Sequence, residues 1–165
     1  MTAFFIYQGM DKAAFGVFAF AGLSDAVDGY LAKRLALGTR FGAYLDPAAD
    51  KLLMLACFVT LTYVGATPLW LAAIVIGRDV AILLGLALAR VMALPLEIAP
   101  LFIGKASTAV QVAYVALVLA LLAFGIGAPG VLNAAAIAVA TFTIASWLGY
   151  GQLLIRAIAV RRKTA

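Results

Sequence analysis

The chain has 165 residues, of which 67% are hydrophobic and only 12% are charged. A soluble domain carries about twice that share of charged residues, so the composition excludes a soluble protein and indicates an integral membrane protein. The net charge of +5 is typical of membrane-protein loops that face an anionic leaflet, and we predict no nucleic-acid partner. The absence of histidine excludes histidine bases and histidine metal sites, and the single cysteine excludes a disulfide within the chain.

The sequence predicts helices throughout. Residues 1–10 are apolar but too short to cross a membrane, so they predict a helical stub at the N-terminus. Five longer apolar stretches follow, separated in two places by the uncharged turns GATP and GIGAPG. The segment from Met92 to Gly104 predicts a loop or a short interfacial piece, because it contains two prolines and a glutamate. The five long helices are predicted over residues 13–35, 41–63, 69–90, 105–125 and 131–157.

The charges predict how these helices are oriented. A basic pair at residues 33–34 lies at the end of the first long helix, and a basic run at residues 161–163 follows the fifth, whereas both uncharged turns lie at the opposite ends of the helices. Basic loops face the cytoplasm in most membrane proteins. The sequence therefore predicts an all-α integral membrane bundle with about five complete transmembrane helices plus the N-terminal stub. It forms one domain over residues 1–165, with the N-terminus outside and the C-terminus inside.

Four of the seven acidic residues lie in one stretch, residues 25–50. Asp25 and Asp28 are three apart and Asp46 and Asp50 are four apart, spacings that put each pair one turn apart on one helical face. Two such pairs facing each other would form a cluster of carboxylates whose repulsion requires neutralising cations. Mg²⁺ and Mn²⁺ prefer oxygen ligands, so the pattern predicts a site for divalent cations.

The same stretch resembles, over its full spacing, the signature of the CDP-alcohol phosphotransferases. That signature reads D-x-x-D-G-x-x-A-R, then eight residues, then G-x-x-x-D-x-x-x-D. The single departure is Lys33 in the arginine position, which keeps the charge but loses the bidentate fork. The matching residues are Asp25, Asp28, Gly29, Ala32, Gly42, Asp46 and Asp50.

The resemblance implies an enzyme that transfers the phosphatidyl group of CDP-diacylglycerol to an alcohol and releases CMP. It implies two divalent ions, Mg²⁺ or Mn²⁺, as cofactors of an in-line displacement at phosphorus. By this resemblance Asp25, Asp28 and Asp46 hold metal, and Asp50 holds metal or serves as the catalytic base on the acceptor hydroxyl. The residues implied to contact the nucleotide are Asp25, Gly29, Ala32, Lys33 and Gly42.

A second group of charged residues lies in the third long helix and at the start of the fourth. Arg78 and Asp79 fall inside an apolar stretch, where charge is expensive and is either paired or functional. Because neighbours on a helix do not face each other, we expect each to need another partner. The segments IGRD (76–79) and GKASTAVQ (104–111) resemble phosphatidylglycerophosphate synthases and phosphatidyltransferase-type cardiolipin synthases.

That resemblance implies that Arg78 and Lys105 bind the phosphate of a glycerol-based acceptor, either glycerol 3-phosphate or phosphatidylglycerol. The alternative for Arg78 is a local structural ion pair. The alternative for Lys105 is a lysine that extends to the membrane interface without a role in binding.

Two other functions stay open at this point. One is a cation transporter that uses the aspartates as ion ligands, although the apolar outer halves of the helices argue against a polar path. The other is an inactive relative, since family members usually have six transmembrane helices and the first is reduced here to a stub. The resemblance also implies a homodimer in the bacterial inner membrane, with the active site facing the cytoplasm.

Overall fold

The described structure is helical from end to end. The computed structural model describes residues 1–35, 42–92 and 102–164, except for the side chains of residues 28–35, of residues 42–50 and of some further positions. Within these ranges there are six helices and no strand, which confirms the all-α prediction, with one short helix followed by five long ones. They are α1 (Thr2–Tyr7), α2 (Asp11–Leu35), α3 (Gly42–Tyr63), α4 (Leu69–Val91), α5 (Phe102–Phe124) and α6 (Pro129–Thr164).

Three helices are long and apolar enough to cross a membrane, among the residues described. They cover Leu69–Ala89, Phe102–Phe124 and Pro129–Ile155. Large apolar side chains are also widely exposed, such as Leu84 at 65%. Such a surface suits lipid rather than water. Length, composition and surface together support an integral membrane protein.

A glycine in the left-handed conformation ends both α3 and α5. Gly65 has φ 76° and Gly125 has φ 65°, values that only glycine adopts without steric cost. After α5, the Gly125 N–H donates to the Leu122 carbonyl at 3.1 Å, and the Ile126 N–H donates to the Leu121 carbonyl at 2.9 Å. This Schellman pattern satisfies the last carbonyls of the helix. Both uncharged turns predicted from the sequence are therefore confirmed.

Two helix boundaries differ from the predicted ones by more than two residues. α5 begins at Phe102, before the predicted start at Lys105, because Gly104 does not break the helix but lies buried inside its first turn. α6 continues to Thr164, past the predicted end at residue 157. No glycine or proline interrupts the basic end of α6, and arginine and lysine are good helix formers.

Several predictions lie outside the described residues. The predicted break between the first two long helices falls in residues 36–41, and the central part of the predicted cytoplasmic loop falls in residues 93–101. The orientation of the helices and the single domain over residues 1–165 stay predictions.

One compact unit comprises Met1–Pro68 and Val115–Pro129. Here α1 packs against both α2 and α3. Ile6 of α1 is only 2% exposed, and Phe58 and Leu119 are fully buried. The short N-terminal helix therefore belongs to a packed apolar core.

A second compact unit comprises Leu69–Tyr114 and Gly130–Ala165. It contains α4, the first half of α5 and nearly all of α6. Small residues of α6, such as Ala136 and Ala140, are buried, which lets membrane helices approach closely. Its interior also holds buried polar and charged residues. These are Arg78, Ser107, Gln111, Thr143 and Ser146.

Candidate active site

The aspartate signature occupies two consecutive helices of the first unit. Asp25 and Asp28 belong to α2, and Asp46 and Asp50 belong to α3. Since both segments are helical, each pair of positions is one turn apart along its helix, as the spacing predicts. The side chains of these four residues lie outside what the structure describes, so their roles as metal ligands and base stay predictions.

The implied nucleotide-binding residues belong to the same two helices. Gly29, Ala32 and Lys33 lie in the last two turns of α2, and Gly42 is the first residue of α3. The side chains of Ala32 and Lys33 are also outside the described part of the chain. Their contact with a nucleotide stays a prediction.

Arg78 is the central residue of the polar cluster in the second unit. It lies in α4 and is only 4% exposed. Its Nη1 donates to the Asp79 carboxylate at 2.5 Å, and its Nη2 donates to the Ser146 hydroxyl at 2.7 Å. The Nε atom is buried and has no hydrogen-bond partner among the described residues. A buried donor left unsatisfied is costly, so this atom is available to an anionic ligand.

The pairing of Arg78 with Asp79 corrects one expectation. Adjacent residues of a helix were expected not to face each other, yet these two side chains form an ion pair. The arginine side chain is long and flexible enough to fold back onto its neighbour. Asp79 keeps 27% exposure, so the arginine is the more buried partner.

Gly104 and Tyr150 complete the surroundings of Arg78. The Tyr150 ring centroid lies 5.9 Å from the guanidinium carbon of Arg78, within the range of a cation–π contact. A Cβ added to Gly104 would stand 3.0 Å from the Tyr150 hydroxyl and 3.5 Å from Arg78 Nη2. Glycine therefore lets the backbone of α5 reach both side chains.

A group of neutral polar side chains joins α5 to α6 in the same unit. The Gln111 amide donates to the Thr143 hydroxyl at 3.1 Å and to the Ser107 hydroxyl at 3.3 Å. The two hydroxyls are 3.4 Å apart. Hydrogen bonds of this kind between helices satisfy polar groups that lipid could not, and they fix the position of α6 relative to α5.

Lys105 lies in a different environment from Arg78. It follows Gly104 in the first turn of α5, and its side chain is exposed. The structure therefore brings the backbone at the start of α5 against Arg78 and leaves the lysine side chain at the surface. Joint binding of one phosphate by the two cations stays a prediction.

Three residues of the cluster were missed by the sequence analysis, namely Thr143, Ser146 and Tyr150. They stand in an apolar stretch without a recognisable motif. Their spacing of three and then four residues places them along one face of α6. A search for polar residues at helical spacing inside apolar helices would have found them.

Comparison with known proteins identifies the family. The sequence profile of the CDP-alcohol phosphatidyltransferases matches residues 1–155, nearly the whole chain. The chain therefore belongs to the CDP-alcohol phosphatidyltransferase family.

Three curated relatives show which named proteins the chain resembles. The chain is 31% identical to a probable phosphatidylglycerophosphate synthase of Mycobacterium tuberculosis, over 92% of this chain and 70% of that protein. It is 37% identical to a human cardiolipin synthase (CMP-forming), over 65% of this chain and 41% of that protein. A CDP-diacylglycerol–glycerol-3-phosphate 3-phosphatidyltransferase of Pseudomonas fluorescens is 47% identical over 46% of this chain and 40% of that protein. The chain thus spans less than half the length of the last two relatives.

Proposed function

We propose that this chain transfers the phosphatidyl group of CDP-diacylglycerol to a glycerol-based acceptor that carries phosphate, with release of CMP. The observation that carries the proposal is the complete aspartate signature on α2 and α3, in a chain that the family profile matches over residues 1–155. The names of the relatives agree with this class of reaction, since they are cardiolipin synthases and glycerol-3-phosphate phosphatidyltransferases.

The donor set of the signature fits divalent cations. It offers four carboxylates and no sulfur or nitrogen ligand, which suits Mg²⁺ or Mn²⁺. The family is generally dependent on divalent metal. In the proposal, two such ions are held by Asp25, Asp28, Asp46 and Asp50. Bound there, they would neutralise the phosphate charge during an in-line displacement at phosphorus.

The chemistry assigned to the chain's own residues is a single displacement. The acceptor hydroxyl forms a bond to the phosphatidyl phosphorus, and the bond from that phosphorus to CMP breaks, with the electron pair leaving on CMP. Asp50 accepts the hydroxyl proton in this scheme. Gly29, Ala32 and Lys33 position the nucleotide at the end of α2, and Gly42 leaves room at the start of α3.

Arg78 supplies the affinity for the acceptor phosphate. Its guanidinium is fixed by Asp79 and Ser146, while no described residue accepts the Nε hydrogen. A charge-assisted hydrogen bond from a buried arginine is stronger than one from a solvated side chain. In this proposal the exposed ammonium of Lys105 folds toward the same phosphate when the acceptor binds.

The proposal places the enzyme in a bacterial inner membrane with its active site toward the cytoplasm. The basic residues at the end of α2 and at the end of α6 support this orientation. CDP-diacylglycerol would then enter from the cytoplasmic leaflet. A homodimer is proposed on the family resemblance alone.

The test is a turnover assay on the purified protein in detergent. Labelled CDP-diacylglycerol is supplied with Mn²⁺ or Mg²⁺, and glycerol 3-phosphate, phosphatidylglycerol and inositol phosphate are offered in turn. We expect CMP release with a glycerol-based acceptor and its loss on addition of EDTA. Release of no CMP with any acceptor, or release that EDTA does not affect, would contradict the proposed function.

A further inference from the structure

An apolar cavity of about 150 Å³ lies between α4 and α6 in the second unit. Its walls include Leu86 from α4 and Trp147, Tyr150 and Leu154 from α6. Nearly all the lining groups are hydrocarbon, so water gains few hydrogen bonds inside it. A dry cavity of this volume accepts a molecule the size of benzene, which corresponds to about six carbons of an acyl chain.

The space exists because two lining positions carry glycine. A Cβ added at Gly85 would make only ordinary contact, at 3.6 Å from Leu154, and one added at Gly151 would meet nothing within 4 Å. Glycine costs about 1 kcal/mol relative to alanine inside a helix. Neither glycine is needed for close approach of the two helices, so a larger side chain at either position would extend into the cavity.

Tyr150 connects this cavity to the cationic cluster. Its ring lines the cavity and also lies 5.9 Å from the guanidinium carbon of Arg78. The Nε of Arg78 is buried without a partner among the described residues. A ligand that satisfies both features has an anionic group close to a hydrocarbon chain, as a phospholipid does.

We propose that the cavity takes an acyl chain of the acceptor, so that the acceptor is an anionic diacyl phospholipid and not a water-soluble glycerol phosphate. This inference rests on the proposed function, which assigns the acceptor phosphate to Arg78. The cavity is assigned to the acceptor and not to the donor because Tyr150, which lines it, also contacts Arg78. The lipid that fits has a free glycerol hydroxyl, and phosphatidylglycerol has this chemistry.

Trp147 provides a direct probe of the cavity. The chain has two tryptophans, so Trp70→Phe leaves Trp147 as the only one. Its fluorescence is measured in detergent micelles while phosphatidylglycerol with brominated acyl chains, which quench tryptophan on contact, is added. We expect saturable quenching at a lipid mole fraction about tenfold below that needed with brominated phosphatidylcholine, because only the former carries a net negative charge.

Filling the cavity provides the matching variants. Gly85→Leu and Gly151→Leu each place an apolar side chain in it, and both raise helix propensity, so we expect the fold to be retained. Ala87→Leu is the control, since residue 87 is exposed on α4 and does not line the cavity. We expect saturable quenching to disappear in the two glycine variants and to persist in the control.

Competition separates the possible occupants. Unlabelled phosphatidylglycerol should reverse the quenching, whereas unlabelled CDP-diacylglycerol should not. Equal quenching by phosphatidylcholine, reversal by CDP-diacylglycerol, or quenching that survives Gly85→Leu and Gly151→Leu would overturn the inference. These outcomes require no turnover. CMP release without selective quenching overturns this inference alone, whereas selective quenching without CMP release overturns the proposed function and the acceptor assignment with it.

Discussion

The aspartate signature and the Arg78 cluster are assembled in opposite ways. The signature is local, because its residues lie within residues 25–50 on two consecutive helices. The cluster is long-range, because Arg78 bonds to Ser146, which is 68 residues further along the chain. A local arrangement follows from helical spacing alone, whereas a long-range one depends on how three helices pack.

This difference suggests a division of tasks. Carboxylates at fixed spacing suit the metal ions and the pyrophosphate, which are common to every reaction that uses a CDP-linked donor. The cluster on α4, α5 and α6 suits the acceptor, which differs among relatives named for cardiolipin and for phosphatidylglycerophosphate synthesis. Variants in the two regions should therefore affect different kinetic constants.

The largest effect is expected in the signature. Asp50→Asn removes the proposed base and a charge from the metal site, and we expect CMP release to fall about a thousandfold, equivalent to about 4 kcal/mol. Asp11→Asn is the matched control, since Asp11 lies in the first turn of α2 and outside the signature. Asp50→Asn activity within tenfold of the unaltered protein would argue against a catalytic aspartate here.

Arg78→Met should weaken the use of the acceptor. Methionine keeps the apolar length but loses the guanidinium, and we expect kcat/KM for the acceptor to fall about a hundredfold, about 3 kcal/mol. Asp79 keeps 27% exposure, so its carboxylate stays partly solvated and the protein should fold. Arg78→Lys retains the charge, so its kcat/KM for the acceptor should fall less. If both variants showed unchanged acceptor kinetics, Arg78 would be a structural ion pair only.

Gly104→Ala tests the close approach of α5 to α6. The added Cβ would stand 3.2 Å from the Tyr150 ring and 3.0 Å from its hydroxyl, so the ring or the helix must shift. We expect a loss of about 1–2 kcal/mol in the free energy of unfolding, measured by denaturant titration in detergent. Gly16→Ala is the control, because nothing lies within 4 Å of its Cβ position, and it should stabilise the protein by about 0.5–1 kcal/mol. Equal stabilisation by both changes would contradict the packing described at Gly104.

The smallest kinetic effect is expected at Ser146. Ser146→Ala removes the hydroxyl that holds Arg78 Nη2 at 2.7 Å, and we expect KM for the acceptor to rise about tenfold, equivalent to about 1.4 kcal/mol. KM for CDP-diacylglycerol should not change, which a general loss of structure would not reproduce. Thr141→Val is the control, because Thr141 is exposed on α6 and bonds only to its own helix.

Much of the fold was predictable because apolar length and turn residues determine it locally. Glycine in the left-handed conformation ends α3 and α5 at the turns that the uncharged GATP and GIGAPG segments predict. The helical placement of Asp25, Asp28, Asp46 and Asp50 also follows from their spacing. Their side-chain roles and the orientation of the helices stay predictions.

The rest of the fold and of the candidate site depends on packing between segments that are far apart in the sequence. Gly104 was predicted to precede a helix, but it lies inside the first turn of α5. Its lack of a side chain leaves room there for Tyr150, which comes 46 residues later. Ser146 and Thr143 stand in an apolar stretch of the sequence. Only their hydrogen-bond partners on α4 and α5 identify them as members of the polar cluster. The ion pair of Arg78 with its neighbour was also not expected, because it depends on a side-chain conformation and not on helical spacing.

The most direct test of the division of tasks is CDP binding by calorimetry in the presence of Mn²⁺, since it requires neither acceptor nor turnover. Asp28→Asn is compared with Arg78→Met and with the unaltered protein. If the signature binds the donor and the Arg78 cluster binds the acceptor, Asp28→Asn should abolish CDP binding and Arg78→Met should leave its affinity unchanged. Loss of CDP binding in Arg78→Met, or its persistence in Asp28→Asn, would contradict this account.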